Sequence, residues 1–356
     1  MNERRIEKIA VRETATISEA FRQIDESGER IVFVVDEARH LLGVATDGDI
    51  RRWILSGRKL DAPITEAMNC DPISVGEDWS REQVEPLMVS RRVETLPVLD
   101  ASGVVVDAVR WVDLFEARPR DRGKNLGLPV VVMAGGEGTR LGPLTKVLPK
   151  PLVPLGDTPI VDLIIDRLAQ ADCGPFYLSI NYKANLIKAY FSDVSHQHEV
   201  LFVEEDQPLG TAGSLSLLRD VLDKTFIVTN CDILVEADYG DVVKLHRESG
   251  NLITLVASMK HFTIPYGVCD TGDGGALTAM HEKPHFDYLV STGFYVLEPE
   301  VLDDIPDGTF VHLTDVINTY LDEGKKVGVY PISEKDWIDV GQLEELQSAL
   351  DRLGLG

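Results

Sequence analysis

A glycine-rich segment that follows an apolar run and ends in a cation is the first part of the chain with residue types suited to chemistry. The run PVVVMA ends at residue 134, and AGGEGTRL covers residues 134–141. Glycines let a backbone approach a phosphate closely, and Arg140 adds a fork of donors. A dinucleotide-binding fingerprint would need its third glycine at Leu141, and no Gly-Lys-Ser/Thr sequence follows, so dehydrogenase and P-loop folds fit poorly. The candidate nucleotide-binding residues here are Ala134, Gly135, Gly136, Gly138 and Thr139.

Further motifs follow this segment in a fixed order. They are PLTK at 143–146, PKPL at 149–152, PLGTAG at 208–213, Cys-Asp at 231–232 and WIDVG at 337–341. Together they resemble the sugar-1-phosphate nucleotidyltransferase family, whose GGxGTRL and PKPL segments are hard to match by chance. The resemblance covers the chain from about Pro129 to the end.

The resemblance implies an enzyme that joins a nucleoside triphosphate to a sugar 1-phosphate, releases pyrophosphate and uses Mg²⁺ as cofactor. It implies catalytic roles for Arg140, Lys150 and Asp232, with Asp232 and Asp339 as metal ligands. Both substrates are anions, so the barrier is electrostatic and positional, and no nucleophilic side chain is required. Taken singly, each of these residues is equally compatible with a surface charge or a helix cap.

Substrate-binding residues are implied by the same resemblance. The PLGTAG loop, with Gly210 and Thr211, resembles the loop that packs on base and ribose. Glu205 precedes this loop, and its carboxylate would accept the N1 and N2 protons of guanine. The alternative is that Glu205 is solvated within the acidic run 204–206. The matches to the family's sugar-phosphate-binding set are Tyr266, Gly267, Glu282, Lys283, Thr292 and Gly293.

The resemblance favours GTP and glucosamine 1-phosphate as substrates. With a repeat ahead of residue 119, the chain resembles most the glucosamine-1-phosphate guanylyltransferases of legionaminic-type pathways, in which an N-terminal module precedes the catalytic domain. The alternatives are a mannose-1-phosphate guanylyltransferase and a glucose-1-phosphate uridylyl- or thymidylyltransferase. A further alternative is a nucleotide-sensing protein that binds without catalysis, although such a protein would have little use for two metal carboxylates.

The elements that must position these residues are apolar strands alternating with helices. PVVVMA, FYLSI, EVLFV, TFIVTN and LITLVAS are continuous apolar runs, typical of strands covered on both faces. The pattern predicts an α/β domain at residues 129–356 with a mostly parallel, Rossmann-like sheet, in which ligands lie at the carboxyl ends of strands.

An internal repeat precedes this domain. Residues 31–50 align without a gap with residues 95–114, and each copy predicts two strands and a helix after an amphipathic helix. The apolar positions of those amphipathic helices are Ile17, Ala20, Phe21 and Ile24, then Val84, Leu87 and Met88. The pair resembles a tandem CBS module of α+β type at residues 1–118, with repeats at about 1–62 and 63–118 and a linker at 119–128.

The CBS resemblance implies a regulatory adenine or guanine nucleotide. In that family the Thr46 hydroxyl lies near phosphate, and the Asp49 carboxylate accepts the ribose hydroxyls. The second repeat keeps Asp113 but has Arg110 where the first has Thr46. The alternative is that the module only mediates dimerisation, and that Thr46 and Asp49 cap a helix.

Composition disfavours whole classes of partner. The net charge is −24, with 19 Lys and Arg against 24 Asp and Glu up to Asn125 and the larger acidic excess beyond it. Such a surface repels nucleic acid and anionic membranes. No apolar run is long enough to span a bilayer, and no signal peptide is apparent, so we expect a cytoplasmic protein. We also expect a homo-oligomer. The four cysteines show no CxxC pair and are expected to be buried thiols.

Overall fold

A computed structural model describes residues 3–91, 93–114, 125–193, 198–341, 345 and 349–350. The helices are α1 (Glu3–Ile9), α2 (Ile17–Ser27), α3 (Asp47–Leu55), α4 (Arg81–Arg91), α5 (Trp111–Leu114), α6 (Pro143–Val147), α7 (Ile160–Ala169), α8 (Ala184–Asp193), α9 (Gly210–Gly213), α10 (Tyr239–Ser249) and α11 (Leu313–Asp322). In this described part of the chain, no helix has both the length and the apolar character needed to cross a membrane.

The strands are β1 (Ala10–Arg12), β2 (Ile31–Val35), β3 (Leu41–Thr46), β4 (Val75–Gly76), β5 (Thr95–Leu99), β6 (Val105–Arg110), β7 (Val130–Met133), β8 (Pro154–Leu155), β9 (Thr158–Pro159), β10 (Phe176–Ile180), β11 (Val200–Glu204), β12 (Phe226–Asn230), β13 (Ile233–Val235), β14 (Ile253–Thr263), β15 (Gly267–Thr271), β16 (Leu277–Glu282), β17 (His285–Leu297), β18 (Val327–Ile332) and β19 (Trp337–Asp339).

The chain forms two compact units that do not follow its linear order. The first comprises Met1–Arg120, Met259–Val290 and Pro331–Lys335, and the second comprises the remainder. The first unit therefore holds more than the N-terminal module predicted at residues 1–118. Of the predicted linker at 119–128, residues 119–124 lie outside the described residues.

The first unit contains the predicted repeat. Its three-stranded sheets have the orders β1-β2-β3 and β4-β5-β6, each with one parallel and one antiparallel pair. Both sheets carry an irregularity at the same place, between Val34 and Val35 and between Val98 and Leu99. Helix α2 buries all four predicted apolar residues, and in α4 Val84 and Met88 are fully buried. The tandem α+β module is confirmed.

The second unit is built on the predicted mostly parallel sheet. The strand order is β11-β10-β7-β12-β17-β14-β18. Strands β11, β10, β7 and β12 are parallel neighbours, and β17 is antiparallel to β12. Because carboxyl ends of parallel strands meet at one edge, the residues after β7, β10 and β12 lie together.

The cysteine prediction is half right. Cys173 and Cys231 are buried, and burial raises the pKa of each thiol to about 12. Cys70 and Cys269 are exposed, so the prediction is wrong for them. Cys269 is exposed because it lies on the two-stranded sheet of β15 and β16 and not on the central sheet.

Candidate functional site

Two predicted metal ligands come together through a short strand pair. Asp232 follows β12 and precedes β13, and β13 pairs antiparallel with β19 so that Ile233 lies opposite Asp339. The Val340 N–H donates to the Asp232 carbonyl at 2.8 Å. The pairing therefore fixes two carboxylates that are far apart in the sequence on one edge of the sheet.

Gly341 leaves open the space between these carboxylates. A Cβ at Gly341 would lie 2.5 Å from Asp232 Oδ2 and 2.9 Å from Asp339 Oδ1, and its own N–H donates to Asp339 Oδ1 at 2.7 Å. Mg²⁺ prefers oxygen ligands and commonly takes one or two carboxylates together with substrate phosphates. Asp232 and Asp339 fit that ligand set. Within the described residues, no group of three or more His, Cys, Asp or Glu is arranged to hold a metal ion.

Both predicted catalytic cations face the same carboxylate. Lys150 Nζ donates to Asp232 Oδ2, and Arg140 Nη2 lies 3.8 Å from that oxygen. The Lys150 side chain is only 13% exposed, whereas Arg140 is 62% exposed. Asp232 itself is buried. The structure thus brings Arg140, Lys150, Asp232 and Asp339 together, with Lys150 held inside and Arg140 free to reach a ligand.

The glycine-rich loop owes two of its glycines to internal packing. Gly138 has a φ of 66°, and a Cβ there would lie 2.9 Å from Thr145 Cγ2 and 3.1 Å from Lys150 Cβ. A Cβ at Gly135 would lie 2.6 Å from Glu205 Oε1, whereas one at Gly136 would meet nothing within 4 Å. Close packing around Gly138 places Lys150 beside the loop. Phosphate binding by Ala134–Thr139 stays a prediction.

Glu205 is buried, so the alternative of a solvated carboxylate is wrong. Its Oε1 accepts from the Ser179 hydroxyl at 2.5 Å, and its Oε2 accepts from the Leu209 N–H at 2.9 Å. Asn181 Nδ2 donates to the Glu205 carbonyl at 2.6 Å. Glu205 therefore ties the end of β10 to the loop at 208–213, and guanine recognition by its carboxylate stays a prediction.

The small residues of that loop pack on the chain itself. Gly210 has a φ of 78°, and a Cβ there would lie 2.5 Å from the Val311 carbonyl oxygen. A Cβ at Gly213 would collide with the Thr309 carbonyl. The Thr211 hydroxyl accepts from the Leu313 N–H at 3.0 Å. Gly210 and Gly213 thus allow segment 309–313 to approach this loop closely. Sequence reasoning expected the small residues only to let a flat nucleotide base lie against the backbone.

A cavity of about 410 Å³ lies beside the carboxylates. Thr292 and Gly293 line it, as does Thr211. The buried Thr292 hydroxyl donates to the Val256 carbonyl at 2.8 Å, and Gly293 has a φ of 88° against the Asn230 side chain. Ser291 and Trp337, which belong to the predicted motifs, also line it, and so do Asn230 and His312, which sequence reasoning did not select.

The remaining predicted sugar-phosphate residues belong to the first unit. Gly267 and Glu282 pair across the two-stranded sheet of β15 and β16, and the Lys283 N–H donates to the Tyr266 carbonyl at 3.3 Å. Lys283 has a φ of 48°, and Tyr266 is 74% exposed. The four residues therefore share the root of one hairpin, and their contact with a sugar phosphate stays a prediction.

A positioning group that sequence reasoning missed follows β10. Lys183 Nζ donates to the carbonyls of Thr145, Lys146 and Val147 at 3.2, 2.6 and 3.0 Å, at the carboxyl end of α6. The Thr145 hydroxyl in turn donates to the Gly138 carbonyl at 3.0 Å. A cation suits the carboxyl end of a helix. The signal in the sequence was a lysine three residues after an apolar strand.

The predicted regulatory residues of the first repeat form a helix cap. The Asp49 N–H donates to Thr46 Oγ1 at 3.2 Å, and Asp49 Oδ2 accepts from the Thr46 N–H at 2.8 Å. Arg110 Nη1 pairs with Glu29 Oε1 at 2.8 Å. Nucleotide binding by Thr46 and Asp49 stays a prediction. The side chain of Asp113, on α5, is not among those the structure describes.

Comparison with known proteins agrees with both parts of the fold. A family model described as Nucleotidyl transferase matches residues 129–354, and a CBS domain model matches residues 5–56 and 64–120. A UTP–glucose-1-phosphate uridylyltransferase of Synechocystis sp. is 30% identical over 244 residues, covering 63% of this chain and 62% of that protein. A mannose-1-phosphate guanyltransferase of Pichia angusta is 32% identical over 231 residues, covering 62% of each.

The matches thus span about three fifths of these curated relatives. Among solved structures, HddC from Yersinia pseudotuberculosis is similar with a TM-score of 0.51 and 24% identity. The similarity covers 64% of this chain and 99% of HddC. At that identity the likeness concerns the fold alone.

Proposed function

The chain belongs to the nucleotidyl transferase family, and from this premise we propose that it joins a nucleoside triphosphate to a sugar 1-phosphate with release of pyrophosphate. The observation that carries the proposal is the convergence of Asp232 and Asp339 on the space left by Gly341, with Arg140 and Lys150 beside them. Two anionic substrates need such a concentration of cationic and metal-binding groups.

The proposed role of each site residue follows from its position. Arg140, largely exposed, binds the triphosphate with its fork of donors, while the more buried Lys150 stabilises charge on the phosphate under attack. Asp232 and Asp339 would hold Mg²⁺, which supplies positive charge to phosphoryl oxygens. The sugar phosphate oxygen attacks the α-phosphorus, and Lys283 on the hairpin is proposed to hold that substrate. Pyrophosphate leaves from the opposite side.

We favour GTP and glucosamine 1-phosphate as substrates, in a cytoplasmic homo-oligomer. Glu205 is the residue proposed to distinguish guanine. Each of its oxygens already accepts one internal hydrogen bond, and an ionised carboxylate has about four acceptor positions, so guanine would take the remaining ones. A mannose-1-phosphate guanylyltransferase is the second candidate, because the Pichia angusta relative carries that name.

Pyrophosphate release tests this proposal. The full chain is incubated with Mg²⁺ and each of ATP, GTP, CTP and UTP, against glucosamine, mannose and glucose 1-phosphates. We expect the fastest release from GTP with glucosamine 1-phosphate. A faster rate with mannose 1-phosphate would identify the second candidate. Release from no pair, with binding of nucleotide retained, would refute the enzyme and favour a nucleotide-binding protein.

We also propose that the CBS module binds an adenine or guanine nucleotide through Thr46 and Asp49 and couples it to catalysis. Such coupling is typically worth about 1–3 kcal/mol. Calorimetry of the full chain with a nucleotide panel should detect binding, and Asp49→Ala should weaken it by removing the ribose acceptor. If Asp49→Ala leaves the binding of every nucleotide unchanged, the module is a dimerisation unit.

A further inference from the structure

A buried cluster in the first unit joins an imidazole to two carboxylates. His261, near the end of β14, contacts Asp25 of α2 through Nε2 at 2.9 Å and Asp287 of β17 through Nδ1 at 2.6 Å. Asp25 is 6% exposed. The rings of His261 and Phe21 of α2 pack edge to face, with a centroid distance of 6.2 Å. One side chain thus connects three elements.

The two carboxylates of this cluster have further partners besides His261. Arg22 Nη2 lies 3.2 Å from Asp287 Oδ1, and the Ser18 hydroxyl donates to Asp287 Oδ2. The Ser333 hydroxyl donates to Asp25 Oδ1. Burial lowers the pKa of His261, but hydrogen bonds to the two carboxylates outweigh it, so this pKa lies above its usual value. The imidazole is therefore disposed to carry a positive charge between two anions.

The cluster attaches a hairpin to the CBS module. Helix α2 belongs to the first repeat, and Met259, just before His261, is buried in the same core as Phe21 and Trp53. His261 and Asp287 flank the segment 262–286, which contains Tyr266, Gly267, Glu282 and Lys283. Four of the six predicted sugar-phosphate residues are therefore carried by a hairpin whose two ends are bound through one imidazole.

A second connection reaches the same cluster from the predicted nucleotide cleft. Helix α3 begins at the cap formed by Thr46 and Asp49, and from this helix Arg51 Nε donates to the Pro331 carbonyl at 2.8 Å. Pro331 precedes Ser333, which bonds to Asp25. Segment 331–335 therefore contacts both α3 and the cluster.

We propose that His261 is a positioning residue that fixes the hairpin, and that the CBS module thereby acts on the sugar 1-phosphate and not on the nucleoside triphosphate. This inference rests on the proposed function, because it assigns the hairpin to the sugar phosphate. The glycine-rich loop and Arg140 belong to the second unit, whereas His261 and the hairpin belong to the first. Loosening the hairpin therefore weakens one substrate selectively.

Kinetics of the full chain test the proposal. His261→Gln removes the charge and one of two hydrogen bonds, and we expect the KM for the sugar 1-phosphate to rise by about tenfold, with the KM for the triphosphate nearly unchanged. The matched control is His40→Gln, which breaks a more exposed imidazole–carboxylate pair with Asp36 in the same unit and should change neither KM. Equal rises in both KM values would overturn the proposal.

Hydrogen exchange gives a readout that does not need activity. In the substrate-free protein, His261→Gln should accelerate amide exchange across residues 262–286 and leave segment 134–152 unchanged. Asp287→Asn, which keeps the side-chain shape, should do the same and serves if His261→Gln does not fold. Wild-type exchange in the hairpin of a folded variant would refute the positioning role. A wild-type protein without pyrophosphate release would refute the proposed function instead.

Discussion

Gly341→Ala is the change whose effect follows most directly from the geometry of the site. The new methyl carbon would lie 2.5 Å from Asp232 Oδ2 and 2.9 Å from Asp339 Oδ1, below the 3.0 Å that real Cβ atoms essentially never cross. Asp232 is buried and bound by Lys150, so it cannot swing away. Gly341 is not among the glycines with a positive φ, so alanine fits its backbone. The strain therefore falls on the two carboxylates.

The expected magnitude comes from two effects. Overpacking of a closed site costs about 1–3 kcal/mol. A displacement of catalytic groups by about 1 Å can lower a rate by roughly 100-fold, equivalent to about 2.7 kcal/mol. We therefore expect kcat/KM of Gly341→Ala to fall by about 100-fold in the pyrophosphate assay, with loss of the carboxylate geometry as the cause.

The control for this variant is Gly76→Ala. A Cβ at Gly76 would lie 2.9 Å from Asp78 Oδ1, a similar clash, but both residues are exposed and the Asp78 side chain can rotate away. This variant should keep wild-type activity. A kcat/KM for Gly341→Ala within about threefold of wild type, at unchanged thermal stability, would refute the assignment of Asp232 and Asp339 to the site.

Other substitutions test the individual groups. Asp232→Asn or Asp339→Asn should lower kcat by orders of magnitude with an intact fold, because each removes an anionic ligand from a hard cation; near-normal rates in both would refute the metal assignment. Arg140→Ala and Lys150→Ala should each cost about 2–4 kcal/mol of transition-state stabilisation in kcat/KM, and a wild-type rate removes that residue from the mechanism. Lys183→Ala should lower kcat by about tenfold because it loosens α6 and the glycine-rich loop, and Lys183→Arg should restore part of the rate. An equal loss of kcat in Lys183→Ala and Lys183→Arg would contradict this role.

The sequence was sufficient where residue type and order carry the information. Continuous apolar runs predicted the strands of the central sheet, because a strand covered on both faces has no polar positions. The cations and carboxylates were found from their motifs, since the chemistry requires charge at fixed places along the chain. Arg140, Lys150, Asp232 and Asp339 do converge in the structure.

Long-range contacts explain what the sequence did not reveal. The acidic run at 204–206 left a solvated Glu205 open as an alternative, yet Ser179 and Leu209 bind its carboxylate in the interior. Gly210 is required by the Val311 carbonyl, about a hundred positions further on. The hairpin at 262–286 groups with the CBS module through His261, and no local pattern indicates such a partner.

Phosphorus NMR of the products is the most direct test of the central claim. A mixture of GTP, glucosamine 1-phosphate, Mg²⁺ and the full chain should lose the triphosphate signals. It should gain the signals of the nucleoside diphosphate sugar, which is a diester of diphosphate, and those of pyrophosphate in equal amounts. The Asp232→Asn protein should leave the substrates unchanged. Orthophosphate without the diester, from this pair and from every other pair tested, would show hydrolysis instead of transfer and would contradict the account.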